Sequence, residues 1–327
     1  MFAGRKILVA GASGFLGGAL TRRLVELGAL VRGCHLSRAP DYHHANLEWL
    51  RVDLEDEQAC ASACVGADYV LMCAANTSGA AAITSTPLVH VTPNVIMNAR
   101  MLEAAHHAGV ERFLFISSGA AYPDLGEDHP LREDEMFRGD PPPVYYPVGW
   151  MKRYTEILCR IYAERIADRP MTTIVVRPSN VYGPGDKWDF ARSHVTAAQI
   201  RRVIERHAPI VVWGDGTDVR DLIYIDDFVE GALRALAIDR RHFVVNIASG
   251  RGYSIHEIVQ TAIRADEYVG AEIHFDPSKP RTIGKRLFDV SLARNLLGFK
   301  SQVPIEDGFR RTIDAFRAAH GTPRPAR

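Results

Sequence analysis

The sequence has no excess of charge of either sign: 39 lysines and arginines meet 39 aspartates and glutamates, for a formal net charge of zero. Nothing in that balance calls for nucleic acid or an acidic membrane surface as a partner. No apolar run is long enough to span a bilayer, and the N-terminus enters a strand-like run at once, leaving no room for a signal peptide. Cysteine is scarce and odd in number, five in 327 residues. Cys60 and Cys64 stand at i, i+4 without a second Cys or His pair nearby. Buried thiols are therefore expected rather than zinc, in a reducing compartment, the cytoplasm. No internal repeat is present either. What is there, 47% hydrophobic and 24% charged residues, suits a soluble globular protein, and the length fits one large α/β domain with a smaller lobe.

The chain is organised around its start. Ile7-Leu8-Val9-Ala10 is an apolar, strand-like run, followed by Gly11, Gly14 and Gly17 in the spacing G-x-x-G-x-x-G and by a helical pattern. Gly11 permits a tight turn, Gly14 lets the backbone approach a pyrophosphate, and Gly17 lets the helix pack on the strand. The N–H groups of Ser13 to Leu16 at the helix start then face the phosphates, with Phe15 beside them. Further strands are expected at residues 29–34, 47–52, 69–75, 112–118, 172–176 and 243–248, and helices at 94–109, 149–166 and 226–238. This alternation predicts a doubly wound parallel sheet of the Rossmann type. It assigns residues 1–177 and 223–248 to a dinucleotide-binding domain. Residues 178–222 and 249–320 form a smaller α/β substrate lobe, with a frayed tail at 321–327.

Several side chains fall at the carboxyl ends of the expected strands, where such sheets bind ligands. The second strand ends without the acid that grips the ribose of NAD, and Arg32 and Arg38 are near. That pattern suits the extra phosphate of NADP, the alternative being that Arg38 is a solvated loop charge. Asp53, followed by Leu54, could read an adenine amino group or cap a helix. Ala74 and Ala75 are small enough for a ribose and nicotinamide to lie against backbone. Residues 123–147, rich in Pro, Gly and acids, are expected to form a loop over the site.

Over nearly its whole length the chain resembles the extended short-chain dehydrogenases/reductases, the NAD-dependent epimerase/dehydratase group. The residues that carry this are Gly11-Ala-Ser-Gly-Phe-Leu-Gly17, Phe115-Ile-Ser-Ser-Gly-Ala-Ala-Tyr122, Arg177-Pro-Ser-Asn-Val-Tyr-Gly-Pro184 and Arg220-Asp-Leu-Ile-Tyr-Ile-Asp-Asp227. Within the group it is most similar to the GDP-L-fucose synthases, through Ser193 to Arg202, Val212 to Thr217 and Asn94 to Asn98. The resemblance implies a nucleotide-sugar substrate and NADP, or NAD, as cofactor. It assigns Ser118 to the substrate C4 oxygen, Lys152 to the nicotinamide ribose and His194 to an acid role in epimerisation. Asn180, Arg202, Trp213, Arg220 and Arg286 would hold the nucleotide sugar, Arg220 at the pyrophosphate. The helices at 94–109 and 149–166 resemble the pair that forms the family's homodimer interface.

Two departures stand out. In the family's Tyr-x-x-x-Lys, the position four before Lys152 is Val148, which carries no proton. Tyr145 and Tyr146 lie just upstream and could supply a phenol, or pack on the loop. Where the fucose synthases use a cysteine as epimerisation base, this chain has Ala120. Three readings follow. The first is a C4 reductase or epimerase of a 4-keto sugar with an atypical proton relay. The second is a redox-neutral epimerase, dehydratase or decarboxylase holding its cofactor tightly. The third is a cofactor-binding regulatory or scaffold protein without catalysis.

Overall fold

The computed structural model describes residues 1–76, 88–126, 128–166, 168–190, 193–279 and 283–323. Of the tail expected to fray, residues 324–327 lie outside them. The first half alternates as its periodicity predicts: β1 (Lys6–Ala10), α1 (Phe15–Glu26), β2 (Leu30–His35), β3 (Leu47–Arg51), α2 (Glu57–Cys64), β4 (Tyr69–Met72), α3 (Leu88–His107), β5 (Arg112–Ile116), α4 (Tyr146–Glu164) and β6 (Thr172–Pro178). The second half comprises β7 (Asn180–Tyr182), α5 (Val195–Ile204), β8 (Ile210–Trp213), β9 (Val219–Tyr224), α6 (Ile225–Leu236) and β10 (His242–Ile247). It continues with β11 (Gly252–Ser254), α7 (Ile255–Ala265), β12 (Ile273–Asp276), β13 (Lys285–Arg286), α8 (Ser291–Leu297) and α9 (Ile305–His320).

Seven strands form one parallel sheet in the order β10-β6-β5-β4-β1-β2-β3. A parallel sheet covered on both faces needs apolar residues at successive positions, and Ile7 to Ala10 are all buried. Their side chains alternate between faces. Ile7 and Val9 join Leu20, Leu24, Phe228 and Leu233 of α1 and α6 in one core. Leu8 and Ala10 join Cys60, Met101 and Cys159 of α2, α3 and α4 in the other. Strand order reverses between β1 and β4, and the crevice beyond their carboxyl ends is where such a sheet takes its ligand. A second sheet, β11-β9-β13 with β7 also on β9, and a β8–β12 pair stand apart from it.

The expected helix at 94–109 begins six residues earlier, at Leu88, and runs through Pro93. A proline within a helix removes one backbone hydrogen bond and disfavours the turn before it. Here Asn94 ties that turn down: its Nδ2 donates to the Asn76 and His90 carbonyls, and its Oδ1 accepts from Asn76 N–H. The helix expected from residue 149 starts at Tyr146, because Pro147 fits the first helical turn. The loop at 123–147 contains short 3-10 turns at Glu133–Glu135 and Pro143–Tyr145. It is anchored by buried Leu131 and Met136, with Leu131 bridged to Phe288.

Candidate active site

The glycine turn lies at the β1/β4 crevice. Gly11 has φ +78°, and a Cβ there would stand 2.7 Å from the Ala74 backbone. A Cβ on Gly17 would stand 2.2 Å from the Gly11 carbonyl oxygen, so both close approaches require glycine. The cavity at this turn is lined by Ala12, Ser13, Gly14 and Phe15, by Arg22 further along α1, and by Arg38, Asp41, Tyr42 and Trp49. Leu16 packs partly buried against the core behind the turn. A helix N-terminus and two guanidinium groups lining one cavity suit a dinucleotide phosphate. Arg38 pairs loosely with Asp41 at 3.7 Å, both ends exposed.

Other residues near this edge are engaged in structure. Arg32 donates to the Ala63 and Val65 carbonyls and to Glu48. Asp53 accepts from Glu55 N–H, while the cap of α2 is Asp56, which accepts from Ala59 N–H at 2.7 Å. Leu54 is buried in the core. Four cysteines are buried and Cys73 is half-buried; burial pushes the Cys34, Cys64 and Cys73 thiols up to about 12.

Beyond β5, Ser118 caps the 3-10 turn Gly119–Ala121, its Oγ accepting from Ala120 N–H at 3.1 Å. That leaves its own O–H free to donate. Lys152 of α4 is buried, its Nζ donating to the Ile116 carbonyl at 2.8 Å and standing 4.7 Å from the Phe115 ring centroid. Burial lowers its pKa to about 8, against the opposing pull of Glu156 and Cys73. One turn further, Glu156 accepts from Ser117 Oγ and from Arg177 at 2.5–3.2 Å. Arg177 also donates to Tyr122 OH at 2.8 Å, and that hydroxyl donates to Asn246 Oδ1 at 2.7 Å. Burial alone would lower the Arg177 pKa, but Glu156 and Tyr122 hold it well above its usual value. This buried chain fixes the ends of β5, β6 and β10 under the site. Sequence reasoning missed Glu156, whose available signal was its place at Lys152 plus four on the same helix face; Tyr122 entered only as the end of the serine motif, and Asn246 carried no local signal.

The second sheet supplies cations. Parallel pairing of β13 and β9 sets Arg286 beside Arg220. Arg220 lies 3.4 Å from Asp218 and donates to the Val219 carbonyl. Arg286 donates to the Gly119 carbonyl at 2.6 Å and to the Tyr122 carbonyl at 3.4 Å. Burial first, then the like charge of Arg220, lowers its pKa to about 10, while Tyr145 and Asp124 act in its favour. Tyr145 closes the 3-10 turn Pro143–Tyr145 and is half-buried. Tyr146 is 48% exposed, its ring against Trp150, on the rim of an open groove with Pro123 and Pro141.

Asn180 donates to the Asp221 carbonyl on β9. Asp221 itself is buried, pushed up to about 6, and accepts from Ser249 and Gly250. Arg202 stacks on Phe190 at 4.9 Å, and Trp213 is exposed at the end of β8. His194 occupies the N-cap of α5. It is exposed to solvent, and desolvation, then the charge of Lys187, lower its pKa. Asp186, beside Lys187 and missed by sequence reasoning, is a buried carboxyl pushed up to about 7 by desolvation.

The chain is similar to several known proteins. The chain is 31% identical over 316 residues to GDP-mannose 3,5-epimerase 1 of Oryza sativa subsp. japonica, covering 94% of this chain and 80% of that protein. It is 28% identical over 327 residues to GDP-L-fucose synthase of Escherichia coli, covering 95% and 96% of the two chains. Its fold is similar to that of a UDP-glucose 4-epimerase of Thermotoga maritima solved with UDP-glucose, with a TM-score of 0.86, 26% identity and coverage of 96% and 99%. The NAD dependent epimerase/dehydratase family pattern matches residues 7–248, from the first strand to the end of β10. With the glycine turn, the Ser118 turn and buried Lys152 at the carboxyl ends of its parallel strands, the chain belongs to the NAD dependent epimerase/dehydratase family.

Proposed function

We propose that this protein is an NADP-dependent enzyme acting on a nucleotide-activated 4-keto sugar, as a C4 reductase or epimerase of a GDP-linked substrate. The observation that carries the reading is the row Lys152, Ser118, Arg286, Arg220, which runs from the glycine-turn side of the sheet to a pair of neighbouring guanidinium groups. Such a pair suits a diphosphate, and a sugar attached to it reaches towards Ser118. Arg22 and Arg38 beside the glycine turn, with no acid at the end of β2, support NADP.

The nicotinamide supplies hydride chemistry at the sugar C4 when bound. The chain's own residues bind, polarise and move protons. Ser118 Oγ, already accepting from Ala120 N–H, donates to the C4 oxygen. Tyr145, the more buried of the two upstream tyrosines, gives the proton that Val148 cannot, a contribution of roughly 10²–10⁴-fold for a positioned acid. Lys152 holds the ribose. His194 moves protons at C3 or C5 where epimerisation occurs. A second reading, redox-neutral epimerisation with retained cofactor, is favoured by the rice epimerase relative.

We propose further that the protein is a homodimer through α3 and α4. Tyr146, Trp150, Tyr154, Ile157 and Ile161 form an exposed stripe along α4, each 38–50% exposed. Among the described residues no helix is long and apolar enough to cross a membrane.

The test is NADPH consumption on mixing with GDP-4-keto-6-deoxymannose in D₂O, with product analysis. Consumption without deuterium at C3 or C5 is the expected result for a reductase, and Tyr145→Phe then slows it while Tyr146→Phe does not. Deuterium uptake without consumption identifies the epimerase and directs attention to His194. Absence of both signals refutes the GDP-keto-sugar assignment.

A further inference from the structure

Arg286 is at a junction between two parts of the site. It is 8% exposed, and its planar fork holds two carbonyls, those of Gly119 and Tyr122. These residues open and close the 3-10 turn that Ser118 caps. Two residues on, Phe288 packs against the same turn: a Cβ on Gly119 would stand 2.3 Å from its ring. The other side of the junction is β13, where Arg286 is in register with Arg220. The hydrogen-bond partners of Arg286 are neutral carbonyls, so its charge stays available to an anion placed between the two guanidinium groups. An anion that draws on Arg286 therefore acts on the turn that sets Ser118.

We propose that Arg286 is a positioning residue. It locks the Ser118 turn and transmits to it the occupancy of the Arg220–Arg286 anion site by a nucleoside diphosphate group. The inference rests on the nucleotide-sugar reading and adds a mechanical link between binding and the catalytic serine. Lysine keeps the charge but offers a single ammonium in place of a planar fork, so it cannot hold both carbonyls in the same geometry. Arg220 shares the anion site and leaves the turn alone.

Amide hydrogen exchange over residues 117–122 tests this, because Ala120, Ala121 and Tyr122 N–H are all bonded within the turn. In the ligand-free protein, Arg286→Met and Arg286→Lys exchange these amides about tenfold faster than wild type, while Arg220→Met matches wild type. Saturating GDP slows exchange several-fold in wild type and not in Arg286→Lys. The lysine variant keeps charge and approximate length, so it stands in where the methionine variant does not fold. Wild-type exchange in ligand-free Arg286→Lys overturns the positioning role. GDP protection of the turn in Arg286→Lys equal to wild type overturns the transmission. Failure of GDP, UDP and dTDP alike to bind wild type in calorimetry overturns the nucleotide-sugar reading and the transmission together, and the ligand-free comparison still decides the positioning role.

Discussion

Replacing Lys152 by methionine stabilises the protein at neutral pH, although it removes a residue of the candidate site. The ammonium is buried against Phe115 and the Ile116 carbonyl, and desolvation lowers its pKa from 10.5 to about 8. That drop corresponds to a penalty of about 3 kcal/mol on the charged form, at about 1.4 kcal/mol per pH unit. Methionine has a similar length and no charge, so it relieves the penalty. It also gives up one hydrogen bond, worth about 1 kcal/mol. A net gain of about 2 kcal/mol is expected at pH 7. The sign with pH follows from the lowered value: between about 8 and 10.5 the unfolded chain holds a proton that the folded one has released. Wild-type stability therefore rises through that window relative to the variant, and the gain disappears by its upper edge. Urea unfolding of both proteins at pH 7 and pH 10, compared as a difference, is the assay. A variant no more stable than wild type at pH 7, or a gain unchanged at pH 10, refutes the argument. Such a gain would identify Lys152 as kept for chemistry at a cost in stability.

Other substitutions probe other links. Glu156→Ala strands the Arg177 guanidinium, 3% exposed, without its carboxylate and takes the acceptor from Ser117. A loss of about 3–5 kcal/mol in urea unfolding is expected, and a loss below about 1 kcal/mol would show that the buried pair is not coupled as described. Arg38→Ala weakens NADPH binding roughly 10–100-fold in fluorescence titration and leaves NADH binding unchanged; equal weakening of both refutes the phosphate role. Gly17→Ala, whose Cβ meets the Gly11 carbonyl at 2.2 Å, costs about 1–3 kcal/mol and abolishes nicotinamide nucleotide binding. Normal binding by that variant would mean the turn tolerates opening. Light scattering is expected to give twice 36.2 kDa for wild type and 36.2 kDa for the double variant Tyr154→Glu, Ile161→Glu. A monomeric wild type would remove the dimer.

Much of the sheet was legible because its signals are local. Ile7 to Ala10, Val70 to Met72 and Phe113 to Ile116 are short apolar runs bounded by polar or small residues, and each became a strand of the central sheet. The helix through Pro93 was misjudged at its start because its compensation comes from Asn76, 18 residues from Asn94. Nothing in the periodicity of residues 88–93 announces that bond. The two vacated family positions, Val148 and Ala120, were equally plain in the sequence. What would fill them was not.

The glycine spacing, the serine strand and the lysine helix were determined by the sequence alone, since each is a pattern of neighbours within about one turn or one strand. The difference in exposure between the adjacent tyrosines was decided by tertiary structure. Tyr145 ends a 3-10 turn and is half-buried, while Tyr146 starts a helix and is 48% exposed. The same holds for Arg286 itself, whose bond to Gly119 spans 167 residues. Only strand pairing in the second sheet brings that guanidinium beside Arg220 and onto the turn capped by Ser118, because a side chain's partners across such a distance depend on register and not on composition.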